Sequence, residues 1–159
     1  MNLVVGVADR KISANEGDEV VTYALGSCLG IAVYDAQSKI GGILHVMMPQ
    51  AGTNPEKAMK NPFMFVDTGV PQFFQDLYAL GVVRDHMVVK VAGGATSGEG
   101  GIDRFAIGRR NYVMLKRMFW QNGILIEAED VGGSQARSMF LEIGSGRLRL
   151  KSGGQEKLL

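Results

Sequence analysis

The chain has 159 residues, 46% of them hydrophobic and 21% charged, which is the make-up of one folded domain and argues against a disordered tail protein. Seventeen lysines and arginines against 16 aspartates and glutamates leave a formal charge of +1, so the basic excess needed for non-specific binding to nucleic acid or anionic lipid is missing. A single cysteine cannot form an internal disulfide, makes a poor structural zinc site, and suits a reducing cytoplasm.

The N-terminal MNLVVGVADRK has no basic segment ahead of its short apolar run, and no stretch approaches the roughly 20 apolar residues of a bilayer span. A soluble, cytoplasmic protein without membrane insertion is expected. Residues 3–7 read as a strand and 9–18 as a polar loop. Residues 20–25 (VVTYAL), 29–34 (LGIAVY) and 40–48 (IGGILHVMM) are three β-rich runs, the last closed by Pro49. Residues 49–62, with three prolines, read as a loop long enough to be functional.

Residues 68–80 predict a helix, because Val70, Phe73, Phe74, Leu77 and Leu80 form one apolar stripe. Asp67 or Thr68 can cap its start, Pro71 is tolerable only in a first turn, and Gly81 suits its end. Residues 87–92 form a strand running into Gly93-Gly94. A second helix spans 107–121, with Met114, Leu115, Met118 and Phe119 toward the core. Residues 124–128, 138–143 and 147–151 are short strands, and 152–159 is expected to fray. The expected architecture is a single α/β domain over 1–151, a mixed, largely antiparallel sheet layered with two main helices. Glycine, 22 of 159 residues, is about twice its usual share of roughly 7% and implies many tight turns or close approaches.

The stretch from Thr22 to Pro49 holds Cys28 and one of the chain's two histidines, His45. Runs 29–34 and 40–48 make a hairpin. If Val33 faces Ile40, Cys28 falls opposite His45; if Tyr34 faces Ile40, Cys28 falls opposite Val46. Either register brings the thiol near the ring. A neighbouring imidazole can take the thiol proton and leave a nucleophilic thiolate. The corner Gly26-Ser27 would expose the sulfur and offer backbone N–H groups to an oxyanion. Thr22 lies on the adjoining run, and its hydroxyl or its carbonyl could accept a hydrogen bond from the second ring nitrogen and fix the tautomer.

Leu25-Gly26-Ser27-Cys28, Ile40-Gly41-Gly42, His45 and Pro49 together resemble the signature of CheD, the chemoreceptor glutamine deamidase family. The similarity runs through nearly the whole chain. Val66-Asp67-Thr68 resembles that family's helix start, Lys90 to Ala95 its strand end, Ile107-Gly108-Arg109-Arg110-Asn111 its second helix start, and Asp130-Val131-Gly132-Gly133 with Arg137 its later turn. Two departures are the glycine-rich segment 93–104 and Ala136, where the family usually has glycine. The resemblance implies a Cys28–His45–Thr22 triad that hydrolyses receptor glutamine side chains through a thioester, with no cofactor or metal. It also implies chemoreceptor cytoplasmic helices as the protein substrate and a CheC-like phosphatase as a further partner. The competing expectation is a non-catalytic chemotaxis adaptor that binds receptor or that phosphatase.

Other features are less telling. Gly93-Gly94 with Gly98-Glu99-Gly100-Gly101 has the glycines of a phosphate loop but no Gly-Lys-Ser/Thr ending, which favours a plain loop. His86 reads as a surface or edge residue at a strand start. Arg104, Arg109, Arg110, Lys116 and Arg117 read as a solvated helix face, with docking of an acidic partner as the alternative. Met47 and Met48 read as core.

Overall fold

The structure, a computed structural model, describes residues 1–96 and 106–159. Gly98 to Gly101 and Arg104, read from the sequence as a loop and as part of a basic helix face, lie outside the described residues. The strands are β1 (Asn2–Val5), β2 (Asp9–Ser13), β3 (Glu19–Leu25), β4 (Leu29–Asp35), β5 (Ile40–Val46), β6 (Met87–Gly93), β7 (Ala128–Val131), β8 (Arg137–Glu142), β9 (Leu148–Ser152) and β10 (Gln155–Leu158). The helices are α1 (Pro55–Lys60), α2 (Val66–Ala79) and α3 (Ile107–Gln121).

Among the described residues the strands form two five-stranded sheets, ordered β1-β3-β8-β9-β10 and β2-β5-β4-β6-β7. Each has one parallel pair, β1 with β3 and β6 with β7, and is otherwise antiparallel. The single sheet expected from the sequence is thus two sheets, packed face to face, with α2 and α3 on the outer face of the second. This layering accounts for the unbroken burial of β4 and β5. A strand covered on both faces has no solvent side to alternate with. The face of β4 toward the first sheet carries Gly30 and Ala32 before Tyr34, whose hydroxyl donates to the Ile143 carbonyl at 2.7 Å; a Cβ on Gly30 would lie 2.3 Å from Met139 Sδ and 2.8 Å from Leu25 Cδ1. Ala32 and Ile43 pack there with Val5, Val20, Leu25, Met139 and Leu141. On the opposite face Leu29, Ile31, Val33, Leu44 and Val46 meet Val70, Phe73 and Leu77 of α2 and Leu115 and Phe119 of α3. Phe73 is fully buried, and its truncation to alanine would cost about 3–5 kcal/mol.

Several elements differ from the sequence expectation. Residues 9–13, expected as loop, form the edge strand β2. Its pattern is polar because it pairs on one side only and contributes mainly Ile12 to the core. The loop 49–62 contains the one-and-a-half-turn α1, started by Pro55 in its first turn. Helix α2 begins at Val66, and neither Asp67 nor Thr68 caps it. Phe65 bridges to Met48, and Val66 N–H donates to the Met48 carbonyl at 2.8 Å, so chain pairing sets the start. Pro71 consequently lies past the first turn. Met48 is exposed rather than core. Residues 124–127 are not strand; β7 starts at Ala128, where parallel pairing with Lys90 begins. The C-terminal residues expected to fray form β10, a hairpin partner of β9, with Leu158 opposite Arg149.

Candidate active site

The hairpin of β4 and β5 sets the stage. Asp35 Oδ1 accepts hydrogen bonds from the N–H groups of Gln37 and Ser38, and the Lys39 N–H donates to the Asp35 carbonyl at 2.8 Å. This Asx turn makes Asp35 the partner of Ile40, so Gly30 faces His45 and Leu29 faces Val46. Neither register weighed from the sequence is formed. The aspartate side chain lets the ladder close one residue nearer the turn. Cys28 therefore lies just beyond the last rung. It packs against the core between the sheets, the side on which His45 meets Thr22 of β3.

Thr22 reaches His45 because β3 is bulged. Thr22 pairs with Met139 and Leu25 with Arg137, so one extra residue is inserted between them. Ala24 takes the left-handed conformation, φ 57°, to accommodate it. Without the bulge, residues three apart would point to opposite faces. With it, Thr22 and Leu25 are both fully buried while Tyr23 is exposed.

Thr22 Oγ1 lies 2.7 Å from His45 Nδ1 and donates to the Val5 carbonyl at 2.9 Å. A hydroxyl has one proton, and the carbonyl can only accept. The hydroxyl must therefore accept from His45, which places the ring proton on Nδ1 and leaves Nε2 with its lone pair. Nε2 is buried and has no hydrogen-bond partner among the described residues. Thr22 and His45 are thus brought together; Cys28, one residue beyond the Leu29–Val46 rung, makes no hydrogen bond to Nε2.

The Gly26–Cys28 corner is held by all three of its carbonyls. Gly26 accepts from Ala95 N–H at 2.8 Å, Cys28 from Gly94 N–H at 2.9 Å, and Ser27 from Asn111 Nδ2 at 2.9 Å. The approach of β6 is so close that a Cβ on Gly93 would sit 2.2 Å from the Cys28 carbonyl oxygen, at a φ of 112°. Buried Arg137 fastens this strand end, donating to the Gly93 carbonyl at 3.1 Å and pairing with Asp130 at 3.2 Å.

Electrostatics favour a neutral pair at rest. Burial pushes the Cys28 thiol up from its ordinary value, opposed by its own backbone N–H. Burial pushes His45 down, partly offset by the Asp9 carboxylate, whose residue pairs with His45 across β2 and β5. Both shifts disfavour a resting thiolate–imidazolium pair. The neutral ring keeps its Nε2 lone pair as a proton acceptor.

The other candidates fall elsewhere. His86 lies in a 3₁₀ turn, its Nδ1 3.6 Å from Asp35 Oδ1, away from this site. Arg109, Arg110, Lys116 and Arg117 are exposed on α3. Arg109, Arg110 and Arg117 line a shallow groove with Pro49, Gln50 and Val113. Among the described residues no three His, Cys, Asp or Glu side chains come together as a metal site, and no helix is long and apolar enough to cross a membrane. Two neighbours of the site were not singled out for it from the sequence. Asp9 lay in an expected loop. Asn111 appeared only within a motif, although its spacing of four from Leu115, itself four before Phe119, marks it as a polar residue on a buried stripe.

Comparison with known proteins is consistent along the chain. The family model for CheD chemotactic sensory transduction matches residues 47–152. The chain is 44% identical over 153 residues to the probable chemoreceptor glutamine deamidase CheD 1 of Syntrophus aciditrophicus, covering 96% of this chain and 95% of that protein. It is 41% identical over 157 residues to the probable chemoreceptor glutamine deamidase CheD of Solibacter usitatus, covering 99% and 92%. With the protein of the same name from Pyrococcus abyssi it shares 36% identity over 154 residues, covering 95% and 93%. The near-complete Solibacter alignment takes in the Thr22–His45 stretch that precedes the family-model match.

Proposed function

The chain belongs to the CheD family, and on that footing we propose that it deamidates glutamine side chains of chemoreceptors, with Cys28 as nucleophile, His45 as general base and acid, and Thr22 as the group that orients the ring. The observation that carries this reading is the Thr22–His45 hydrogen bond, which leaves His45 Nε2 with a free lone pair on the strand paired with the one that follows Cys28.

The reaction follows from the protonation states. The Cys28 sulfur attacks the side-chain amide carbon as its proton passes to Nε2. Negative charge moves onto the amide oxygen, and the N–H groups of the corner that includes Gly26 and Ser27 stabilise it. His45 then gives its proton to the departing nitrogen, which leaves as ammonia, and a thioester forms. Water, deprotonated by the same ring, attacks the thioester and releases glutamate and the thiol. A glutamyl methyl ester can enter the same sequence, with methanol as the leaving group. Receptor cytoplasmic helices are the substrate in this reading, and a CheC-like phosphatase is a further partner.

The test is incubation with a receptor cytoplasmic fragment, reading ammonia release and the glutamine-to-glutamate mass change by peptide mapping. A deamidase produces both, and Cys28→Ala produces neither. A non-catalytic adaptor binds the fragment and leaves its mass unchanged, which would overturn the proposal.

A further inference from the structure

The paired ladder of β4 and β5 ends at Leu29 and Val46. One step further, the strands separate: Met47 and Met48 N–H groups both turn to the Met64 carbonyl, at 3.0 Å each. The next rung is filled by a side chain from another layer. Asn111 of α3, fully buried, donates from Nδ2 to the Ser27 carbonyl and to the Met47 carbonyl, each at 2.9 Å. One carbonyl belongs to the residue before Cys28 and the other to the second residue after His45. Two carbonyl acceptors require the NH₂ end of the amide, so its orientation is fixed. Its Oδ1 is buried without a hydrogen-bond partner among the described residues.

Asn111 does not act alone. Gly108, one turn earlier on the same face of α3, lies so close to the end of β6 that a Cβ there would be 2.4 Å from the Ala95 carbonyl oxygen. The Gly94 and Ala95 N–H groups hold the Cys28 and Gly26 carbonyls. The first turns of α3 therefore grip the cysteine corner both directly, through Asn111, and through the strand end. Among the described residues, the Asn111 side chain alone hydrogen-bonds to both the cysteine branch and the histidine branch of the hairpin.

We propose that Asn111 is a positioning residue which sets the approach of Cys28 to His45 Nε2 by tying the Ser27 and Met47 backbones to one amide. The proposal rests on the Cys28–His45 reading above. Without the amide the open end of the hairpin loses its cross-tie and the sulfur no longer meets the ring in a fixed geometry. A misplacement on the order of 1 Å costs about 10²-fold in the chemical step while leaving distant substrate contacts in place.

The experiment compares wild type, Asn111→Ala and Asn111→Ser, each alone and combined with His45→Gln. Serine keeps one donor and can tie one branch. The readouts are the melting temperature, the pH profile of Cys28 alkylation by iodoacetamide, and steady-state deamidation of a receptor cytoplasmic fragment. In wild type, His45→Gln should remove an alkylation component seen below the thiol's own titration, because the ring assists the sulfur. In folded Asn111→Ala that component should already be lost, so adding His45→Gln changes nothing further. Its kcat should fall about 10- to 100-fold, with KM within about twofold, and Asn111→Ser should lie between. Retention of the full His45-dependent component in Asn111→Ala, whatever its melting temperature, overturns the inference. Failure of both variants to fold also overturns it, by assigning Asn111 to stability alone. If wild-type alkylation is indifferent to His45 and Cys28→Ala still deamidates, the catalytic reading itself has failed, a result separable from the others.

Discussion

Thr22 Oγ1 lies 2.7 Å from His45 Nδ1 and gives its own proton to the Val5 carbonyl, so the hydroxyl acts toward the ring only as an acceptor. The threonine fixes the ring tautomer as a carboxylate does in a catalytic triad, but would contribute no negative charge to an imidazolium. That difference has measurable consequences.

Thr22→Ala should lower single-turnover deamidation about 10- to 10³-fold, less than the roughly 10⁴-fold loss that follows a wrong-tautomer triad carboxylate. Thr22→Ser keeps the hydroxyl and should retain most of the activity. Substrate affinity should change little in either variant. A Thr22→Ala protein as fast as wild type would show that the ring is oriented by something else.

The pH profile should carry the mark of a buried, neutral base. His45 sits below its ordinary value of 6.5 because of burial, and the Asp9 carboxylate partly restores it. The acid limb of kcat/KM should accordingly have its midpoint below pH 6.5. Asp9→Asn removes the anion and should move that midpoint lower still, not higher. The same shift enters stability. Between the lowered folded value and the ordinary unfolded one, the unfolded chain binds the extra proton, so this contribution is complete above pH 6.5 and is lost as pH falls toward the folded value. Urea titrations of wild type and His45→Gln between pH 5 and pH 8 should show a steeper acid-side loss in wild type.

The bulge in β3 makes a prediction about strain. Ala24 is exposed and left-handed, a conformation that a Cβ disfavours. Ala24→Gly should stabilise the protein by about 0.5–1 kcal/mol, the relief of strain outweighing glycine's greater freedom in the unfolded chain. Activity should be unchanged, because Thr22 and Leu25 keep their inward positions. Chemical denaturation and the deamidation rate are the two checks. A destabilised Ala24→Gly protein would mean that the alanine methyl packs usefully in the bulge.

Much of this site was legible in the order of residues, and the gaps have physical causes. The apolar runs that became β4 and β5 are readable because both faces of those strands are covered. The stripe from Val70 to Leu77 likewise announces α2. The hairpin register was not readable, since it depends on Asp35 folding back on the N–H groups of Gln37 and Ser38. The bulge was hidden for a similar reason: nothing in VVTYAL marks Ala24 as the inserted residue, where glycine would have been a signal. Strand β2 was missed because an edge strand with charged residues resembles a loop. Asn111 and Asp9 escaped because their roles arise from contacts more than 30 residues away in the chain.

The proposed mechanism requires that Cys28 become covalently acylated. Its most direct test is rapid mixing of the protein with a receptor cytoplasmic fragment, acid quench, and mass spectrometry of the Cys28 peptide before and after hydroxylamine. A hydroxylamine-labile thioester on Cys28 should form with ammonia release and be absent from Cys28→Ala. Deamidation of the fragment by Cys28→Ala at a rate near that of wild type would contradict it.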